Sequence, residues 1–236
     1  NPMCLVSGLV AGLLLGFNGF IWSQAVIVEV YTLAVLTFAG VLVCLFEWTY
    51  ATHRRGLLYG AFFLFGLCFC NHQTLIVAAM GIEVLVAMAD RRVGRDLFLG
   101  NTLIWLVGLF GHFTGNMSTF TSNPSLLLIF NAVGIGSAIA TGYLAYETGG
   151  LGDRLHVVLL CGVIWLLGAA VYFYMPIASA TNPPMNWGYP RTWEGFVHAF
   201  TRGQYEKTTP TSDPVILIRQ MFMYAEGAQE EFNWAN

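Results

Sequence analysis

Apolar residues in this chain come in long unbroken runs rather than in the one-sided stripes of surface helices. The runs cover residues 3–21, 30–46, 57–70, 73–89, 97–111, 126–146 and 156–175. A helix needs about 20 apolar residues to cross a bilayer, with a lower limit near 17. Each run therefore predicts a crossing helix, and the shorter ones suit a locally thin bundle or extend into their polar flanks. The stretch 57–89 reads as two short helices that turn at Asn71-His72. The expected fold is an all-α integral membrane protein of about seven short transmembrane helices over 1–175, followed by a polar non-cytoplasmic tail over 176–236.

Charge fixes the expected orientation. Basic residues gather in three connections: His53-Arg54-Arg55, then Arg91, Arg92 and Arg95, then Arg154. Cytoplasmic loops hold the excess of Lys and Arg, and placing all three inside lets every run cross once. The connections at 22–29, 71–72 and 112–125, with the tail, then fall outside. Those outer segments carry most of the unusual polar residues. The tail changes character at Met175, and prolines at 176, 183, 184, 190, 210 and 214 exclude long regular helices. Thr192–Arg202 predicts one short helix capped by Thr192, with Trp193, Phe196 and Phe200 on one face. Residues 215–225 predict an amphipathic helix at the membrane surface.

Composition agrees with the pattern. Hydrophobic residues make up 56% of the 236 and charged residues 10%, against about 25% charged in soluble domains. A net charge of −3 without a basic run argues against nucleic acid as a partner. The five cysteines lack CxxC spacing and sit in apolar runs, so they read as packing residues. No HExxH or comparable ligand spacing indicates a metal site; the cofactor is unknown, and a divalent metal is left open. The chain opens on Asn1-Pro2 directly before an apolar run, which reads as the inside of a longer protein.

Three constellations carry candidate chemistry. In the first, Gln24 and Glu29 stand where an apolar run meets the outer surface. A carboxylate there is costly unless paired or functional, while the bland reading is an interface belt of aromatic and solvated polar residues. The second is Cys70-Asn71-His72-Gln73-Thr74, whose amides and imidazole can bond phosphate or sugar hydroxyls or simply satisfy their own turn. The third runs from Asn182-Pro183-Pro184-Met185-Asn186-Trp187 through Trp193-Glu194 to Arg202 and Tyr205. A proline-fixed loop holding amides beside an aromatic face suits sugars, Arg202 offers a planar fork for phosphate, and a rigid loop packed on the bundle is the alternative. Asn116-Met117-Ser118 fits a glycosylation sequon, a frequent chance match.

Together, WSQAVIVEVYTL at 22–33, GLCFCNHQTL at 66–75, and NPPMNWGYPRTWEGF with TRGQY at 182–205 resemble one family of bacterial multi-pass proteins of formerly unknown function. Its eukaryotic relative is a transmembrane protein O-mannosyltransferase. The resemblance implies a C-type glycosyltransferase bundle in the bacterial inner membrane. Its implied partners are membrane lipid, a polyprenyl-phosphate-linked sugar donor and an exported protein acceptor, with chemistry on the non-cytoplasmic face. It implies Glu29 as the acidic or orienting catalytic group, with Arg202, His72 and Asn71 as donors to phosphate or sugar. Asn182, Asn186 and Trp187 would shape the acceptor or sugar site, with Gln24 and Tyr205 behind them. Members of that family carry an Asp-Ser-Gly-Glu-like motif in their first outer loop. That tetrapeptide is absent here, so the chain is expected to correspond to the middle of the enzyme without its acidic opening loop. The rival readings are a non-catalytic subunit of a larger membrane complex and a lipid or solute transporter, which polar helix breaks at mid-membrane would favour.

Overall fold

A computed structural model describes residues 2–26, 31–116, 124–186, 188–201, 203, 211 and 213–232. Among these residues the chain is helical, with no strand. The helices are α1 (Pro2–Gly16), α2 (Gly19–Val26), α3 (Tyr31–Tyr50), α4 (Arg55–Asn71), α5 (Ala79–Ala89), α6 (Arg91–Phe113), α7 (Pro124–Thr148), α8 (Leu155–Ala169), α9 (Tyr174–Ala180), α10 (Trp193–Phe200) and α11 (Pro214–Phe232). Two 3₁₀ segments, Gln73–Ala78 and Ala170–Phe173, lead into α5 and α9. Tyr31–Tyr50, Arg91–Phe113, Leu126–Thr148 and Leu155–Ala180 are long and apolar enough to cross a membrane, and three shorter apolar helices accompany them.

The expected break at Asn71-His72 is present: α4 stops at Asn71, and His72 is extended (φ −144°, ψ 99°). The first apolar run differs from expectation. It divides at Asn18, whose side-chain oxygen accepts from the Ile21 backbone N–H at 3.0 Å. Asn18 thus acts as a cap that starts α2, the use for which a short polar side chain competes best with continued helix.

The described residues form two compact units, 1–36 with 211–236, and 37–210. In the first, α11 is longer than the expected 215–225 and leaves Val215, Leu217, Ile218, Met221 and Phe222 exposed. The larger unit is built by small residues that let helices approach closely. A β-carbon on Gly66 of α4 would collide with the backbone of Trp165 and Ala169 on α8, and one on Gly168 would collide with the Phe63 carbonyl. Small-residue contacts of this kind are how helices associate where lipid removes the hydrophobic drive. Gly94 meets Ala87 in the α5–α6 hairpin in the same way.

Residue pairing gives the directions. Gly40 faces Leu64 and Gly60 faces Cys44, so α3 and α4 are antiparallel. Gly94 meets Ala87 while Asn101 lies against Glu83, and Arg91 pairs with Glu147 while Trp105 lies against Asn131, so α5–α6 and α6–α7 are antiparallel as well. Between these helices lies a core of Val41, Leu45, Trp48, Leu58, Phe65, Val86, Val93 and Val157. Large apolar residues on the outside, such as Leu128, Ile139, Leu159 and Leu167, stay exposed, as suits helices whose solvent is hydrocarbon.

Candidate functional site

This packing gives the larger unit two chemically distinct ends. At one end the basic clusters come together. Arg55 lies 3.7 Å from Asp90, Arg91 pairs with Glu147 at 2.7 Å, and Arg92 lies 3.6 Å from Asp153. Asp90 also caps α6 by accepting from the backbone N–H groups of Arg92 and Val93. Below this surface Arg95 and Asp96 are fully buried. The Arg95 guanidinium donates to Asp96 at 2.7 Å, to Thr148 Oγ1 at 2.7 Å, to the Gly150 carbonyl at 2.8 Å and to Asp153. Asp96 in turn accepts from the backbone N–H groups of Gly152 and Arg154. Two adjacent residues of α6, Arg95 and Asp96, thereby lock the 149–154 loop, and the pair reads as structural because each finds its partners in the other and in that loop.

The sequence signals the arginines of this end but not their acidic partners. The Arg95 hydrogen bond holds the Asp153 carboxyl below its ordinary range. A depressed carboxylate supports the fold above its unfolded pKa, about 3.9 for Asp, and loses that support as pH falls through the lower folded value. Mild acid should therefore leave the loop intact, and only stronger acid should open it. Amide exchange of residues 149–154 against pH checks this; protection lost already near pH 5 would contradict it.

The opposite end is aromatic. The segment after His72 meets α10 through Gln73, whose side-chain amide donates to Tyr172 Oη and to the Phe200 carbonyl, both at 2.9 Å. Cys70 lies against the Gly168 and Ala169 carbonyls at the same level. The rings of Phe69, Trp165, Tyr172, Phe173, Trp193, Phe196 and Phe200 tile one another here, with Phe173 and Phe196 stacked at 5.7 Å. They wall a cavity of about 490 Å³ with almost no polar lining. The expected helix after Thr192 is present as α10, and the Thr192 hydroxyl accepts from the Gly195 N–H at 3.0 Å.

Of the residues singled out by sequence, Asn71 ends α4 at this end of the unit, and the His72 ring contacts the Thr74 hydroxyl. Asn182 accepts from the Arg191 guanidinium. Asn186 shapes the loop by accepting from Ser179 Oγ at 2.7 Å and donating to the Ser179 carbonyl at 3.3 Å. Gln24 lies in α2, and its side chain is outside the described set. Glu29, Trp187, Arg202 and Tyr205 lie outside the described residues. The structure thus joins the 71–74 turn to the C-terminal end of α10, within the third constellation, through Gln73 rather than through His72. Two further features escaped the sequence reading. Arg191 sits inside the 182–196 motif but was overshadowed by Arg202. Glu83, which accepts from Asn101 Nδ2 at 2.6 Å between α5 and α6, looks isolated in sequence because its partner is on the next helix. Among the described residues no cluster of three or more His, Cys, Asp or Glu side chains is placed to hold a metal ion.

Comparison with known families gives this geometry its context. Residues 1–94, which include α1 to α5 and the Asn71-His72 break, match the family model described as the protein O-mannosyl-transferase TMEM260 N-terminal domain. Over those residues the chain is similar to the TMEM260 protein O-mannosyl-transferase domain. No curated protein and no solved structure matches it. The TMEM260 match contains two of the three constellations, those around Glu29 and His72, and stops before the aromatic end is completed by Tyr172 and α10.

Proposed function

We propose that this chain is part of a membrane glycosyltransferase that moves a hexose, mannose by analogy with its relatives, from a polyprenyl-phosphate donor to a Ser or Thr hydroxyl of an exported protein. The observation that carries this reading is the match of residues 1–94 to the TMEM260 domain. The four crossing-length helices support a membrane setting. The separation of a basic end from an end rich in amides and aromatics supports chemistry on one face, taken as the non-cytoplasmic one by the positive-inside rule. In a bacterium that face is the periplasmic side of the inner membrane.

In this reading the acceptor oxygen attacks the anomeric carbon while the bond from that carbon to the phosphate oxygen breaks with inversion. The acceptor proton passes to a carboxylate, for which Glu29 is the candidate, and polyprenyl phosphate leaves with the bonding pair. Cationic and amide donors from the 71–74 and 182–205 segments stabilise the charge that develops on the phosphate.

Glu29→Gln and Arg202→Lys test the assignment in the full-length enzyme. The first removes the base, and the second keeps charge but loses the planar fork. General-base catalysis contributes about 10²–10⁴-fold, so Glu29→Gln should fall in that range and Arg202→Lys should be clearly impaired. Normal transfer by both variants contradicts the assignment.

A further inference from the structure

Glu83 is an acid that the transfer chemistry leaves unused. It stands half-buried in α5, seven residues before Asp90, and its partner Asn101 stands ten residues after Arg91 in α6. At about 1.5 Å per residue both lie about 10–15 Å inside the basic end. Asn101 Nδ2 donates to the Glu83 carboxyl at 2.6 Å.

The surroundings offer this acid no counter-charge. Asp90, Asp96, Glu147 and Asp153 each pair with an arginine. Among the described residues Glu83 pairs with none. α6 carries no charged residue between Leu97 and Gly111, and the 3₁₀ segment Gln73–Ala78 carries none. Ile82 and Val86 pack α5 into the core with α3, α4 and α8. The ionisable groups there are Tyr59, Cys68 and Cys70 on α4, Cys44 and Glu47 on α3, and His156 and Cys161 on α8. Glu47 and His156 belong to the basic end, while His72 and His112 stand beyond the other end of the hairpin.

A carboxylate inside a bundle is costly, and those that occur there mark working sites. One amide donor replaces little of the water that a carboxylate gives up. The acid form differs, because it accepts from the amide N–H and can donate its own O–H to the amide oxygen. A closed hairpin thus suits the acid, and an opened, hydrated one suits the carboxylate.

We propose that Glu83 is a proton-binding site within the bundle, and that its proton latches α5 to α6. With the proton bound, the pair with Asn101 stays closed. When the proton leaves to water, the carboxylate draws water into the seam and the hairpin loosens. Rising pH favours opening, because the open form binds fewer protons. α5 continues directly from the 3₁₀ segment that begins at Gln73, so the latch acts on the segment that holds Tyr172 and the Phe200 carbonyl. The site does not depend on the sugar-transfer reading.

The test uses the chain in phosphatidylcholine nanodiscs. Dicyclohexylcarbodiimide, an apolar reagent that modifies protonated carboxyls from the lipid phase, should modify Glu83 in mild acid, as mapped by mass spectrometry. Amide protection of Ala79–Ala89, corrected for intrinsic exchange, should fall about tenfold as pH rises from mild acid to mild alkali, the scale of one buried hydrogen bond. Glu83→Gln keeps an amide against Asn101 and every histidine, so it should hold the acid-side protection throughout. The carbodiimide experiment needs no variant and stands if Glu83→Gln folds poorly. No adduct on Glu83 in the folded protein, or protection in the parent that ignores pH, overturns the site. So does the same pH-dependent loss in Glu83→Gln, which assigns it to another titrating group.

Discussion

Arg95→Met should destabilise the protein by about 3–5 kcal/mol, the range for removing one partner from a buried ion pair. Arg95 and Asp96 are fully buried, and the guanidinium serves four acceptors: Asp96, Thr148, Gly150 and Asp153. Methionine fills much of the space but leaves the Asp96 charge without its cation and the Gly150 carbonyl without its donor. Two backbone N–H groups still reach Asp96, which keeps the loss within that range. Arg95→Lys retains the charge, yet its single ammonium cannot serve four acceptors spread around a planar fork, so it should fall between parent and Met variant. The unfolding midpoint in detergent measures this. A Met variant as stable as the parent means that the network is not closed as described.

Gly66→Val and Gly168→Val should each destabilise the α4–α8 contact. Overpacking typically costs about 1–3 kcal/mol, occasionally more, and the upper end applies here. The colliding atoms are backbone, namely the Trp165 carbonyl and Ala169 nitrogen in one case and the Phe63 carbonyl in the other. A flexible side chain could swing aside; a helix backbone has to translate. That translation would also pull Gln73 from Tyr172 and open the aromatic end. Gly142→Ala is the control, because a β-carbon there meets nothing within 4 Å. Alanine should be neutral or stabilising by about 0.5–1 kcal/mol through helix propensity. Equal behaviour of Gly66→Val and Gly142→Ala in thermal unfolding contradicts the close crossing.

Much of the helical order is legible in the sequence, because in lipid an apolar run leaves the backbone little alternative to helix. The runs at 30–46, 57–70, 97–111 and 126–146 each appear as a helix extended into its polar flanks by a few residues. The break at 71–72 is legible because a single helix would put Arg91, Arg92 and Arg95 on the wrong side. The break at Asn18 is not, since one asparagine in an apolar run looks like a tolerated polar residue until its side chain is seen capping α2. The site is less legible than the fold. Spacing brings Trp193, Phe196 and Phe200 to one face of a helix, but their meeting with Phe69, Trp165 and Tyr172 depends on which helices pack together. Arg95 reads in sequence only as a topogenic charge, and its burial follows from the acidic loop about 58 residues later.

The central claim is tested most directly by transfer itself. Full-length protein in lipid vesicles is supplied with radiolabelled mannose on polyprenyl phosphate and, separately, on a nucleotide, together with an unfolded Ser- and Thr-containing acceptor polypeptide. The account predicts that label passes to acceptor hydroxyls from the lipid-linked donor and not from the nucleotide. Transfer from the nucleotide sugar, with none from the lipid-linked one, contradicts it.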